Sequence, residues 1–284
     1  MPLFTVLSGY VYALRPMSPG SGLKFLAGKA RRLLLPMVFV GILPLAFLRL
    51  SPPYVEVPRN ILEILRSLAF PPHQFWFLQT LFLIFVLVTV LESLKWLGKP
   101  SFWLLAMGLI ALAALLAGSG ILKAINLPLS PRPLIFMLPY FCFGLGLNRF
   151  GLLHKGRWVT FVALGLAVVG LILQILVLSG RLKIADQRDT VFYLSLSLVD
   201  IFLLFKIRWK APWLSKLGNY SYSIFIFHFY IILAMQKLAA LSPLSLPPFG
   251  RFAVIFLCAI GLSILAHFVF QRFTLTRRLF LGLR

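Results

Sequence analysis

Lys29, Arg31 and Arg32 put three cations within four residues, in the stretch Phe25-Leu26-Ala27-Gly28-Lys29-Ala30-Arg31-Arg32-Leu33-Leu34-Leu35-Pro36. Guanidinium forks match phosphate oxygens, so such a cluster can bind lipid phosphates or hold a phosphorylated cofactor such as coenzyme A. The same charges are also what a cytoplasmic helix end carries as a topology signal, and charge alone favours that reading. A second group, His73-Gln74-Phe75-Trp76-Phe77-Leu78-Gln79, combines one titratable side chain with an aromatic floor that suits a sugar ring or a lipid head group. Aromatic residues at a membrane interface are ordinarily belt anchors, and that reading is favoured. In Leu217-Gly218-Asn219-Tyr220-Ser221-Tyr222-Ser223-Ile224-Phe225-Ile226-Phe227-His228-Phe229, His228 falls about ten residues into an apolar stretch. At that depth a structural hydrogen bond and a functional role fit equally well. Asp200 is the only carboxylate inside an expected span, where it either pairs with a basic group or lies in a polar cavity.

These groups need a scaffold, and composition says which kind. Of the 284 residues, 61% are hydrophobic and only 12% charged, with a mean hydropathy of +0.97. A soluble globular domain carries roughly 25% charged residues, so a soluble fold is excluded. The net charge of +22 would suggest nucleic acid in a soluble chain, but no nucleic-acid motif accompanies it, and cationic loops are normal for membrane proteins. Cys142 and Cys258 sit inside apolar stretches with no metal-ligand spacing, as small core residues do. The opening Met1-Pro2-Leu3-Phe4-Thr5-Val6 has neither a basic segment nor a small-residue cleavage site, so it does not read as a signal peptide.

About 20 apolar residues cross a bilayer as helix, and eight stretches approach that length: 33–50, 74–91, 101–122, 133–148, 158–179, 190–205, 217–237 and 252–271. Residues 1–14 are apolar but too short to span, and they stop at Arg15-Pro16. The expectation is an all-α, polytopic helical bundle of eight full spans plus a partial first helix, forming one integral membrane domain over 1–284. Alternating the loops across the membrane with loop 15–32 inside puts 18 of the 28 Lys and Arg residues on that side. Loop 15–32 and the C-terminus are therefore read as cytoplasmic. This sets Met1 outside, on a chain that looks to lack an inward-starting helix before it.

The ordered set Phe4-x-x-x-Ser8-Gly9-Tyr10, Lys29-x-x-Arg32-Leu33-x-x-Pro36, Trp76-Phe77-Leu78, Leu138-Pro139-Tyr140-Phe141 with Gly144, and Gly218-Asn219-Tyr220-Ser221-Tyr222 through His228 resembles the landmarks of the acyltransferase 3 family. The resemblance runs over nearly the whole chain. It implies a plasma-membrane enzyme, bacterial inner membrane by family habit. Such an enzyme takes an acyl group, often acetyl, from cytoplasmic acyl-CoA and transfers it to a hydroxyl of an extracytoplasmic glycan or lipid-linked acceptor. Lys29, Arg31 and Arg32 would then hold the acyl-CoA phosphates, the donor being a substrate and no cofactor being resident. Ser8, Gly9, Trp76, Tyr220, Ser221 and Asp200 would be acceptor-side or structural residues.

The sequence departs from the family in three places. Lys29 stands where the family motif has Arg, keeping the charge but losing the bidentate fork. Gln271-Arg272-Phe273 replaces the Glu-Arg-Pro often found after the last helix. The Arg and the general-base His of the family's first helix are missing, which leaves His73 and His228 as weak catalytic candidates. A truncated chain is the expected explanation ahead of a non-catalytic paralogue, and the polypeptide as written is expected to be impaired. A transporter or flippase for a lipid-linked glycan is the rival function, disfavoured by the lack of an inverted repeat.

Overall fold

The computed structural model describes residues 1–42, 62, 63, 66, 69–71, 73–101, 103–105, 107–109, 112, 131–154, 156–181, 191–207, 211–241 and 247–283. All regular structure among the described residues is helical. In chain order the main helices are α1 (Pro2–Leu14), α2 (Gly22–Pro36), α3 (Trp76–Ser93), α4 (Pro131–Arg149) and α5 (Arg157–Leu178), followed by α6 (Val191–Lys206), α7 (Pro212–Gly218), α8 (Ser221–Leu241), α9 (Pro248–Gln271) and α10 (Thr274–Leu281). A π-helical turn, Met37–Ile42, follows α2, and a 3-10 turn, His73–Phe75, leads into α3.

Four of these helices are long and apolar enough to cross a membrane: His73–Ser93, Arg157–Leu178, Ser221–Ala239 and Pro248–Gln271. They correspond to the expected stretches 74–91, 158–179, 217–237 and 252–271. Stretches 133–148 and 190–205 form α4 and α6, which fall short by length or composition. Stretches 33–50 and 101–122 run into residues outside those described, so the count of eight is not reached among the described residues. Residues 1–14 form the short helix α1, ending at Arg15 because a residue before proline disfavours the α region.

The helix expected to begin near residue 33 begins at Gly22. Hydropathy ends a span where charges start, whereas Lys, Arg, Ala and Leu all favour helix, so α2 runs straight through the cations. Lys29, Arg31 and Arg32 thus stand on the body of a helix and not at its start.

The chain divides into two compact units. The first comprises Met1–Leu26 and Leu83–Trp209. Here α1 lies along α4 at backbone contact: a Cβ on Gly9 would come within 2.0 Å of the Phe141 carbonyl oxygen, and one on Gly144 within 1.9 Å of the Val6 carbonyl oxygen. Small residues permit this approach between apolar helices, where dispersion and close packing hold neighbours together. Tyr12, Phe25, Phe85 and Phe141 fill the adjoining space with ring centroids 5.5–6.4 Å apart. The second unit comprises Ala27–Phe82 and Lys210–Arg284. In it α8 packs along α9, and α10 packs on α9 and the π-helical turn. Phe270 links them, stacking on Phe227 at 5.3 Å and on Phe280 at 4.6 Å.

Candidate functional site

The second unit carries the cations. Lys29 and Arg32 are three residues apart on α2, a spacing that sets side chains on one helix face. Burial first, and the Arg32 charge second, push the Lys29 ammonium down to about 8. The Arg32 guanidinium lies 5.9 Å from the centroid of the Tyr222 ring, within cation–π range. The Tyr222 hydroxyl donates to the Arg32 carbonyl oxygen. That carbonyl needs an outside donor for a reason written in the sequence. Its helical partner would be the N–H of residue 36, and Pro36 has none. Tyr222 at the start of α8 thus satisfies the carbonyl and lays its ring beside the guanidinium of the same residue. Ser221 beside it is half-buried.

A second polar group gathers further along α8. Tyr230 donates its hydroxyl to the carbonyls of Val40 and Gly41 in the π-helical turn, at 3.2 Å for Gly41, and its ring lies 6.4 Å from that of Phe75. His73 stacks on Phe229 at 4.2 Å. Phe229 is nine residues into the 21-residue α8. The start of α3 therefore meets α8 well inside its length. Trp76 is half-buried, packing its ring edge-on to Phe77, which in turn packs against Phe225. Gln74 Nε2 and Thr80 Oγ1 are buried with no hydrogen-bond partner among the described residues.

His228 bonds the Ile224 carbonyl of its own helix through Nδ1, at 2.8 Å. A carbonyl only accepts, so this bond places a proton on Nδ1, and the Nε2 atom is the one left to act on a neighbouring group. Tyr220 packs against the His267 and Phe268 rings at 5.2 and 5.5 Å.

A family model described as an acyltransferase domain matches residues 1–268. The chain belongs to the acyltransferase 3 family. No curated protein and no solved structure matches it. It is a membrane protein of acyltransferase type, with helices of spanning length and an acyltransferase domain over most of its sequence.

In this acyltransferase the remaining sequence-derived candidates lie in the first unit. Gly9 serves helix packing, and Ser8 donates to the Phe4 carbonyl at 2.8 Å within α1. Asp200 is exposed on α6 beside Gln174 of α5, lining a cavity of about 220 Å³ with Leu171 and Leu196. Of the two surroundings expected of it, the described residues show no basic partner, and the polar lining of the cavity is Gln174 and Asp200 itself.

The structure also brings together residues that sequence reasoning passed over. Glu92, at the end of α3, accepts from Tyr12 at 3.3 Å and from Arg149 at 3.1 Å, and Arg149 also donates to the Leu97 carbonyl at 3.1 Å. The signal was available: Glu92 is the only acid between residues 64 and 185. Ser223 Oγ lies 2.7 Å from His267 Nδ1, a pairing across 44 residues that no local pattern announces.

Proposed function

We propose that this acyltransferase transfers an acyl group, acetyl in our reading, from a cytoplasmic acyl-CoA to a hydroxyl of an extracytoplasmic glycan or lipid-linked acceptor. The observation that supports the proposal is Arg32 of the α2 cation cluster lying against Tyr222 at the start of α8, the helix that also carries His228 and meets His73. Seven residues separate Tyr222 from Phe229, about 10 Å at 1.5 Å per residue. An extended pantetheine arm is longer than that. A CoA bound by its phosphates at Lys29 and Arg32 would thus bring its thioester alongside His228 and the aromatic floor of His73 and Trp76.

The reaction needs an acceptor hydroxyl to attack the thioester carbonyl. Its proton passes to a base, a C–O bond forms, the C–S bond breaks and CoA leaves as thiol. His228 Nε2 is our candidate base, and Gln74 Nε2 and Thr80 Oγ1, without a partner among the described residues, are candidates to orient acceptor hydroxyls.

Labelled acetyl-CoA supplied to inverted membranes containing the protein tests the proposal. Label on the glycan, reduced about tenfold or more by Arg32→Ala, is the expected result, because a charge-assisted phosphate contact is lost. Movement of unmodified glycan across the membrane with no label transferred would overturn it in favour of a transporter.

A further inference from the structure

Within the first unit, helix α5 turns one stripe of small and apolar residues towards α6. Val159, Ala163, Leu166 and Gly170 recur every three or four residues and so share a helix face. Gly170 lets the two helices touch: a Cβ there would lie 2.2 Å from Leu196 Cδ1. Towards the Arg157 end of α5 and the Lys206 end of α6, this contact gives way to a cavity of about 400 Å³. Ligand sites typically measure about 300–1,000 Å³. Phe143 and Leu147 of α4, Ala163 and Leu166 of α5, and Leu198 and Phe202 of α6 line it.

The wall decides what can enter. Every described side chain lining the cavity is apolar, so water would find no hydrogen-bond partner there. Val162 and Leu166, both in the wall, are 42% and 54% exposed, which opens the cavity at the side of the helix pair. On a helix long and apolar enough to cross a membrane, that side meets lipid hydrocarbon. An alkyl chain is the occupant such a wall accepts.

The same end of the helix pair carries the marks of a bilayer interface. Arg157 and Trp158 open α5, and Trp158 is 76% exposed, as belongs to a tryptophan at head-group level. From there residues 159–166 run about 10 Å into the hydrocarbon, at 1.5 Å per residue. Two cations stand at this level. Arg157 is exposed, and the Lys206 ammonium lies 5.6 Å from the centroid of the Phe202 ring that lines the cavity. Asp200 of α6 lines the separate cavity beside Gln174, and Glu92 is engaged by Arg149 and Tyr12. Cations at a helix end are by themselves a topology signal. Here they stand at the end of a cavity that takes an alkyl chain, and basic residues at head-group level attract anionic lipid.

We propose that the cavity between α4, α5 and α6 binds an anionic phospholipid, with one acyl chain along residues 159–166 and the phosphate at Arg157 and Lys206.

The full chain in nanodiscs of equal parts phosphatidylcholine and phosphatidylglycerol, released for native mass spectrometry, reads the lipid it retains. Wild type should keep phosphatidylglycerol in preference to phosphatidylcholine. Arg157→Gln and Lys206→Gln should each lower that preference about fivefold, the contribution of one basic residue near an anionic surface. Ala163→Phe fills the cavity from within and should lose both lipids, while its melting temperature in lipid-free detergent stays at or above that of wild type. A second readout needs no substitution: phosphatidylglycerol with a diazirine in its acyl chain should label residues 157–166 and 196–202 more densely than α9, whose Phe252 and Leu257 are 64% and 67% exposed. Labelling no denser there than on α9, or equal lipid retention by wild type and Ala163→Phe, would overturn the site. An unchanged lipid preference in both charge variants would overturn the anionic ligand. A wild-type dimer that retains no lipid and dissociates in Ala163→Phe would overturn the proposal in favour of a second copy of this chain.

Discussion

The hydroxyl of Tyr222 occupies the place of a backbone N–H that Pro36 cannot supply, donating to the Arg32 carbonyl from a helix 190 residues away. Tyr222→Phe should therefore cost about 1 kcal/mol, with the carbonyl left unsatisfied. Pro36→Ala restores an N–H four residues after Arg32, so Tyr222→Phe should cost less in that background. A double-mutant cycle read by thermal unfolding measures the coupling. Additive effects would show that the proline does not create the need for the tyrosine.

The spacing Lys29-x-x-Arg32 was legible in the sequence as a phosphate candidate, and Pro36 and Tyr222 were legible as landmarks. Their relationship was not, because a side chain that repairs a helix defect from another helix leaves no periodic trace. The same holds for His73. Its aromatic neighbours read as a belt, and only its stacking on Phe229 shows that the start of α3 meets α8 well inside that helix. Helix existence was clear for long apolar stretches such as Arg157–Leu178. The start of α2 was not, since hydropathy reports lipid contact and says nothing about helical propensity in a charged segment.

Gly144 should not tolerate even one methyl group. Gly144→Ala puts a Cβ within 1.9 Å of the Val6 carbonyl oxygen, backbone against backbone, and should cost about 3 kcal/mol or force α1 off α4. Gly165→Ala, in the exposed helix α5 with nothing within 4 Å of the added atom, should instead stabilise by roughly 0.5–1 kcal/mol. Unfolding of the two variants in the same detergent compares them directly. Equal effects would contradict the close approach.

Glu92 and Arg149 are mutually dependent. Their side chains are 20% and 16% exposed, so solvent screens the pair only in part. Glu92→Gln should destabilise by about 1–2 kcal/mol, because the amide removes the charge that Arg149 pairs with and keeps only one acceptor oxygen, and Arg149→Met by a similar amount. The double variant should lose less than the sum of the two, as measured by chemical or thermal unfolding.

Ser223 and His267 have the atoms of a nucleophile and its base, but among the described residues no carboxylate is bonded to the imidazole. Ser223 is 2% exposed, and residues 210–284 contain no carboxylate to orient the imidazole. The bond ties the start of α8 to the last turns of α9. Ser223→Ala should lower stability by about 1 kcal/mol while acyl transfer persists, and hydroxylamine should release no acyl group from the wild-type protein. An acyl-protein lost specifically in Ser223→Ala would reverse this assignment.

Lys29 gives the proposed phosphate site a pH signature. Its ammonium sits at about 8 in the folded protein against an ordinary 10.5, so the unfolded chain holds more protons between those values. Without ligand, stability should accordingly rise as pH climbs from about 8 towards 10.5. Acetyl-CoA binding should move the opposite way. A phosphate at Lys29 restores its proton, so affinity should fall as pH rises above about 8, by at most about tenfold per unit for one linked proton. Lys29→Arg keeps its charge across this range and should flatten the profile. Titrations at pH values from 7 to 9.5 in one buffer ionic strength read the slope. A wild-type profile as flat as that of Lys29→Arg would remove Lys29 from the phosphate site and leave Arg31 and Arg32 to hold it.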